Sequence, residues 1–125
     1  VHPRISALAR PRFEAGFFGD AVEASFKEAN DAVKRILHGI DGRELDGAGL
    51  MTTVFSPQNP VIRLSALATE SDRNIQQGYM QIFAGSMTGI RNPKAHENLN
   101  PGSTKSLHLI SLASLLMHKI DERQE

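Results

Sequence analysis

Apolar residues recur at three- and four-residue intervals in four separate stretches of the chain, the spacing that lines one face of an α-helix. The first stretch is 3–15, where Ile5, Leu8, Ala9 and Phe13 share a face, Pro3 suits a first helical position and Gly16 a stop. Pro11 lies inside it and is expected to kink or shorten the helix. The second stretch, 19–38, has the clearest stripe: Val22, Phe26, Ala29, Val33 and the pair Ile36 and Leu37. Glu23, Lys27, Glu28, Lys34 and Arg35 fall largely on its other faces. Asp20 is placed as a cap or first-turn acid, and Gly39 as the stop.

Residues 40–67 break this rhythm with Gly42, Gly47, Gly49, Pro57 and Pro60, and look like an inserted connection. Within it Leu45, Leu50, Val54 and Phe55 fit a short helix capping the core, and Val61-Ile62-Arg63-Leu64 fits an extended run. The third helix is predicted over 71–91, with Ile75, Tyr79, Ile82, Phe83, Met87 and Ile90 inward and Gly78, Ala84, Gly85 and Gly89 allowing close helix approach. The fourth is predicted over 103–123, with Leu107, Ile110, Leu112, Leu115, Leu116 and Ile120 inward and a serine-threonine start. Helical faces with one short extended piece predict an all-α, four- to five-helix up-and-down bundle with a long connection between its second and third main helices.

Composition narrows this picture more than it extends it. A chain of 125 residues that is 40% hydrophobic fits a single domain over 1–125, with no room for a second. Lysine plus arginine and aspartate plus glutamate each number 14, so no global basic field drives nucleic-acid binding, and any such contact must come from a local patch. The absence of cysteine excludes disulfides and thiolate metal sites and agrees with a reducing cytosol. The longest mostly apolar run, 107–117, is interrupted by His108 and falls short of the roughly 20 residues a bilayer requires. A cytoplasmic protein without a membrane partner is therefore expected. The chain opens on Val1, which fits a piece of a longer protein with an N-terminal domain beyond it.

Most familiar chemical constellations fail on spacing. The histidines at 2, 38, 96, 108 and 118 form no zinc-protease pair on a helix, so no metal and no cofactor is expected. His108 and His118 read as solvent-facing or packed residues. The glycines at 42, 47 and 49 lack the lysine of a phosphate-cradling loop, and no Gly-x-Ser-x-Gly elbow is present. Glu23 and Lys27 read as a solvated ion pair along the second helix. Arg4, Arg10 and Arg12 read as a mixed surface beside Glu14 and Asp20, and Tyr79 with Phe83 as core or interface before a base-stacking platform.

One segment stands apart: Ile90-Arg91-Asn92-Pro93-Lys94-Ala95-His96-Glu97, between the third and fourth helices. An arginine neutralises a phosphate through a planar fork of donors, and a histidine moves protons near neutral pH, a combination suited to a phosphodiester. On an unbroken helix residues five apart point about 140° from each other. Pro93 is expected to push Asn92 off helical angles and distort the turn so that Arg91 and His96 converge. Arg-Asn-Pro is equally an ordinary helix ending, with a cation complementing the dipole and His96 in a surface loop.

An Arg-Asn-x-x-x-His segment between the last two helices of a small bundle resembles the HEPN superfamily. More narrowly, Phe17-Phe18-Gly19-Asp20-Ala21-Val22 leading to Phe26-Lys27, Gly78 to Phe83-Ala84-Gly85, Ile90 to His96 and Ser111 to Met117 resemble the prokaryotic Ymh-type family of conserved hypothetical proteins. The resemblance spans nearly the whole chain. It implies a metal-independent endoribonuclease whose site is composed across a homodimer, with Arg91 and His96 catalytic, Asn92 supporting and Lys94 a candidate phosphate contact. It implies RNA as substrate, the setting of a toxin or phage-defence effector, and an N-terminal domain or an antitoxin or sensor as partner. The alternative it leaves is a non-catalytic HEPN-like nucleotide- or protein-binding or dimerisation module.

Overall fold

The computed structural model describes residues 1–92 and 101–124, and among these the chain is all-α. Helix α1 spans Pro3–Glu14, α2 Phe18–Asp41, α3 Gly47–Val54, α4 Glu70–Ser86, and α5 Ser103–Asp121; a π turn at Met87–Arg91 continues α4. Among the described residues no helix is long and apolar enough to cross a membrane.

Helix ends follow from local chemistry. Pro3 occupies the first helical position of α1, where a missing N–H costs nothing, and the Nδ1 of His2 caps the Arg4 N–H at 3.2 Å. α1 runs through Pro11 to Glu14, so Pro11 does not end the helix. α2 likewise runs through Gly39 and stops at Gly42, whose φ of 75° lets its N–H bond the His38 carbonyl. A left-handed residue just past the last turn ends a helix, and Gly42, not Gly39, adopts that angle. α4 begins with a capping box in which Thr69 and Asp72 bond each other's backbone N–H.

α2 is the central element. It packs against α1 and α5, and also against α3 and the π turn, through Val22, Phe26, Ala29, Val33 and Leu37, all buried. The region that reads as an insertion belongs to the same core: Leu50, Met51, Val54 and Phe55 are fully buried, and Ile62 and Leu64 nearly so. Phe55 lies against Phe83 of α4 with ring centroids 4.6 Å apart. α3 is the predicted short helix. Residues 61–64 form no strand; the Val61 and Ile62 N–H groups both bond the Val54 carbonyl, and no neighbouring strand exists among the described residues to pair with them.

Three further backbone groups of this segment are held by Gln76, which is fully buried on α4. Its Nε2 donates to the carbonyls of Phe55 (3.0 Å) and Ile62 (2.9 Å), and its Oε1 accepts the Leu64 N–H at 2.7 Å. One side-chain amide thus satisfies three backbone groups that have no water to turn to.

Gln76 also explains where the predicted faces are wrong. The inward stripe of α4 is Gln76, Met80, Phe83 and Met87, so Ile75 and Ile82 lie one position off it and stay 39% and 41% exposed. A polar residue in the stripe disguised its register. Leu107 and Leu115 of α5 are likewise about half exposed, leaving Ile110, Ala113, Leu116, Met117 and Ile120 inside. Around Gly78, Gly85 and Gly89 a Cβ would meet nothing within 4 Å, so among the described residues these glycines serve no helix approach.

Replacing Gln76 by Leu keeps the volume but strands two carbonyls and one N–H. Urea unfolding should show a loss of about 3–5 kcal/mol, since each buried unsatisfied group costs about 1–3 kcal/mol and some relaxation is available. A loss under about 1 kcal/mol would mean that water reaches these groups.

Candidate functional site

Arg91 is the last residue of the π turn, which closes when the Asn92 N–H bonds the Met87 carbonyl five residues back. Such single wide turns recur at functional sites because they re-aim a side chain that a regular turn would point elsewhere. Asn92 keeps right-handed helical angles, φ −65° and ψ −47°, contrary to the expectation that the following proline pushes it extended. The irregularity falls one turn earlier, in Met87–Arg91, and the steric preference before proline does not prevail.

A guanidinium presents two flat edges that can each hold a bidentate acceptor. In Arg91 both are engaged within the chain. The Nε and Nη2 edge donates to the Oδ1 of Asn92 at 3.3 and 3.1 Å. The Nη1 and Nη2 edge faces Asp46, with Nη2 3.2 Å from Oδ2 and a longer contact of 3.5 Å from Nη1 to Oδ1. The Arg91 side chain is only 18% exposed, whereas that of Asp46 is 57% exposed.

Asp46 is fixed from beneath by Asn30, a residue of α2 that is 2% exposed. Asn30 Nδ2 donates to Asp46 Oδ1 at 2.7 Å, and Asn30 Oδ1 accepts the Gly47 N–H at 3.1 Å. Lys34, one helical turn further along α2, places Nζ 3.6 Å from the same Oδ1. These donors hold the Asp46 carboxyl below the usual aspartate range: the Asn30 hydrogen bond contributes most, burial opposes it, and Arg91 and then Lys34 add to the lowering. Gly47 opens α3 at φ 65°, and a Cβ there would stand 3.2 Å from Arg91 Nη2.

The group opens onto a cavity of about 440 Å³ lined by Glu23, Lys27, Asn30, Asp31, Lys34, Asp46, Arg91 and Asn92. Three bases and three acids balance there, so it is polar without being a positive cleft. Glu23 and Lys27, read from the sequence as a surface pair, are part of this wall.

Of the residues predicted from sequence, Arg91 and Asn92 are brought together; Pro93, Lys94 and His96 lie outside the described residues. Asp46, Asn30 and Lys34 were not anticipated. Asn30 left a trace, an amide between Phe26 and Val33 in the apolar stripe; Asp46 left none beyond preceding Gly47. Arg4 and Arg10 pair with Glu28 and Glu14, and Arg12 bonds the Leu8 carbonyl, which agrees with their mixed-surface reading.

A second cluster of ligand-type side chains joins the ends of the chain. His2, His118 and Asp121 bring ligand atoms within 4.8 Å of one another. Nδ1 of His2 accepts the Arg4 N–H, so the ring proton sits on Nε2 and donates to Asp121 Oδ2 at 2.7 Å. A metal at Nε2 needs the opposite tautomer and would undo the α1 cap. The cluster straps the first residues to α5, helped by the His2 N–H bond to Ser114 Oγ at 2.7 Å.

Two outcomes test this geometry. Gly47→Ala should lose about 1–2 kcal/mol in chemical denaturation, the cost of a left-handed alanine, and should also displace Arg91. Asp46 has a lowered folded-state pKa, so its contribution is full above the ordinary aspartate value and lost as pH falls through the depressed one. The stability gap between wild type and Asp46→Asn should therefore narrow below about pH 4; a gap that is constant with pH would show that Asp46 gains nothing from its charge.

No curated protein and no solved structure matches the chain. A sequence family described as "Protein of unknown function (Hypoth_ymh)" matches residues 1–120. With nearly the whole length aligned, the chain belongs to the Hypoth_Ymh family.

Proposed function

We propose that this chain is a metal-independent endoribonuclease of HEPN type, acting at a site composed across a homodimer. The observation that carries the proposal is the setting of Arg91: a guanidinium at the end of a helix, re-aimed by a π turn, backed by Asn92 and opening onto a polar cavity with Lys27 and Lys34. A fork of donors so placed suits the non-bridging oxygens of a phosphodiester as it approaches a pentavalent transition state.

In this reaction the ribose 2′-oxygen forms a bond to phosphorus while the bond to the 5′-oxygen breaks. A base takes the 2′-hydroxyl proton and an acid supplies one to the leaving oxygen. His96 is the residue of the chain placed in sequence to do this work, and one imidazole cannot hold both protonation states at once. A second protomer contributing its own Arg91 and His96 completes the pair. RNA is then the substrate, the cytoplasm the setting, and a toxin or phage-defence effector the biological role, held in check by an N-terminal domain or an antitoxin or sensor. Lys94 is a further phosphate contact in this scheme.

The second reading is a non-catalytic HEPN-like binding or dimerisation module. The specific observation in its favour is that both edges of Arg91 are engaged inside the chain, as they are in an arginine that only ties a helix end to a loop.

End-labelled RNA incubated with the protein in EDTA distinguishes the two. The nuclease reading expects 2′,3′-cyclic phosphate ends and a loss of about 10²–10⁴-fold in rate for His96→Ala, the usual worth of a proton-transfer group. Arg91→Ala should fall at least as far. Cleavage that survives His96→Ala at wild-type rate, or a wild type that never cleaves, favours the binding module.

A further inference from the structure

Three donors from two elements converge on the Asp46 carboxylate: Asn30 Nδ2 at 2.7 Å, Arg91 Nη2 at 3.2 Å and Lys34 Nζ at 3.6 Å. Two of them are cations. A simple tether between α3 and the end of α4 needs only one. This group instead lies at the wall of a cavity, with the carboxylate mostly exposed and the guanidinium mostly covered. Donors fixed around an exposed anion describe an anion-binding seat, and here the anion is the chain's own.

We propose that Asn30, Lys34 and Arg91 form a phosphate seat, and that Asp46 fills it as an internal carboxylate until a phosphodiester of an RNA strand displaces it. The identity of that phosphodiester rests on the endoribonuclease reading; the seat itself rests on the donor geometry.

The exchange is chemically balanced. A carboxylate and a phosphodiester each carry one negative charge, so Arg91 and Lys34 stay neutralised when one replaces the other, and Asn30 Nδ2 keeps an acceptor. Asp46 can leave without unfolding anything. Its side chain is exposed, and Asn30 still holds the Gly47 N–H through its other amide atom. The link it sits on is flanked by the left-handed glycines Gly42 and Gly47. Once displaced, the carboxylate remains close to the phosphate and repels it, which sets a threshold for weakly bound anions. Glu23 and Asp31 in the same wall add to that threshold, so the cavity becomes net positive only when Asp46 is neutralised or removed.

The test measures binding without turnover. A fluorescent 2′-O-methyl oligoribonucleotide lacks the attacking hydroxyl, so anisotropy reports occupancy alone. Asp46→Asn should bind it about tenfold more tightly than wild type, and Lys34→Ala about threefold to tenfold more weakly, in line with about 1 kcal/mol per phosphate contact. Asp46→Ser is the companion variant: serine is an equally good residue at the start of α3 and also removes the charge. Thermal melts confirm that each variant is folded.

Unchanged or weaker binding in both folded Asp46 variants overturns the proposal and makes Asp46 a positioning residue for Arg91. Titration with inorganic phosphate is the second arm; tightening there with no change for the oligonucleotide overturns the assignment to a strand. The two proposals fail separately. Tighter binding with no cleavage of ordinary RNA removes the nuclease and keeps the seat, whereas cleavage with no tightening removes the seat and keeps the nuclease.

Discussion

Asn30 lies in the apolar stripe of the central helix, four residues after Phe26 and three before Val33, where its amide is sealed from solvent. A primary amide in that position must find both a donor and an acceptor inside the protein or cost several kcal/mol. It finds them in two consecutive residues, Asp46 and Gly47, and by doing so fixes the start of α3. That attachment fixes Gly47 at the start of α3 and the position of the Asp46 carboxylate, onto which the π turn aims the Arg91 guanidinium. The start of α3 is therefore tied to the core that buries Asn30, although the working surface of the site is open.

Gln76 does for the far side of α3 what Asn30 does for the near side. Between them two buried amides serve five groups, four on the backbone and one carboxylate, and hold α3 and the turn that follows it against the core. The hydrophobic residues of that segment supply the driving force, but they carry no directional information; Leu50, Val54 and Phe55 can be buried in several orientations. The amides select one of them. This division, burial for affinity and satisfied polar groups for register, is what lets a short helix with a sparse sequence signal occupy a defined place.

The helices were legible because their signals are local. Val22, Phe26, Ala29, Val33 and Leu37 announce α2 through spacing alone, and Pro3 and Gly16 bracket α1. Stops and faces were less legible. Gly39 and Gly42 are both competent to end α2, and Gly42 is the one that takes the left-handed angle. Ile75 and Ile82 looked inward because the residue that is inward, Gln76, is polar. In the site, Arg91 and Asn92 were found from their place at a helix end, whereas Asp46 stands 45 positions away along the chain from Arg91, and no local pattern links the two.

What the sequence determined by itself was therefore everything that depends on near neighbours: an all-α chain, the four main helices, a short helix in the connection, and an arginine placed where a helix ends. What only the tertiary structure decided was which polar groups meet. Apolar side chains are largely interchangeable partners that need proximity alone, so periodicity foresees most of their burial and fails only where the register of the stripe is disguised, as at Ile75 and Ile82. A hydrogen bond or ion pair needs two particular atoms within about 3 Å and correctly aimed. That condition depends on the rotation of each helix about its own axis, which is set by packing the whole core at once. The convergence of Asn30, Lys34 and Arg91 on Asp46 is a property of that packing.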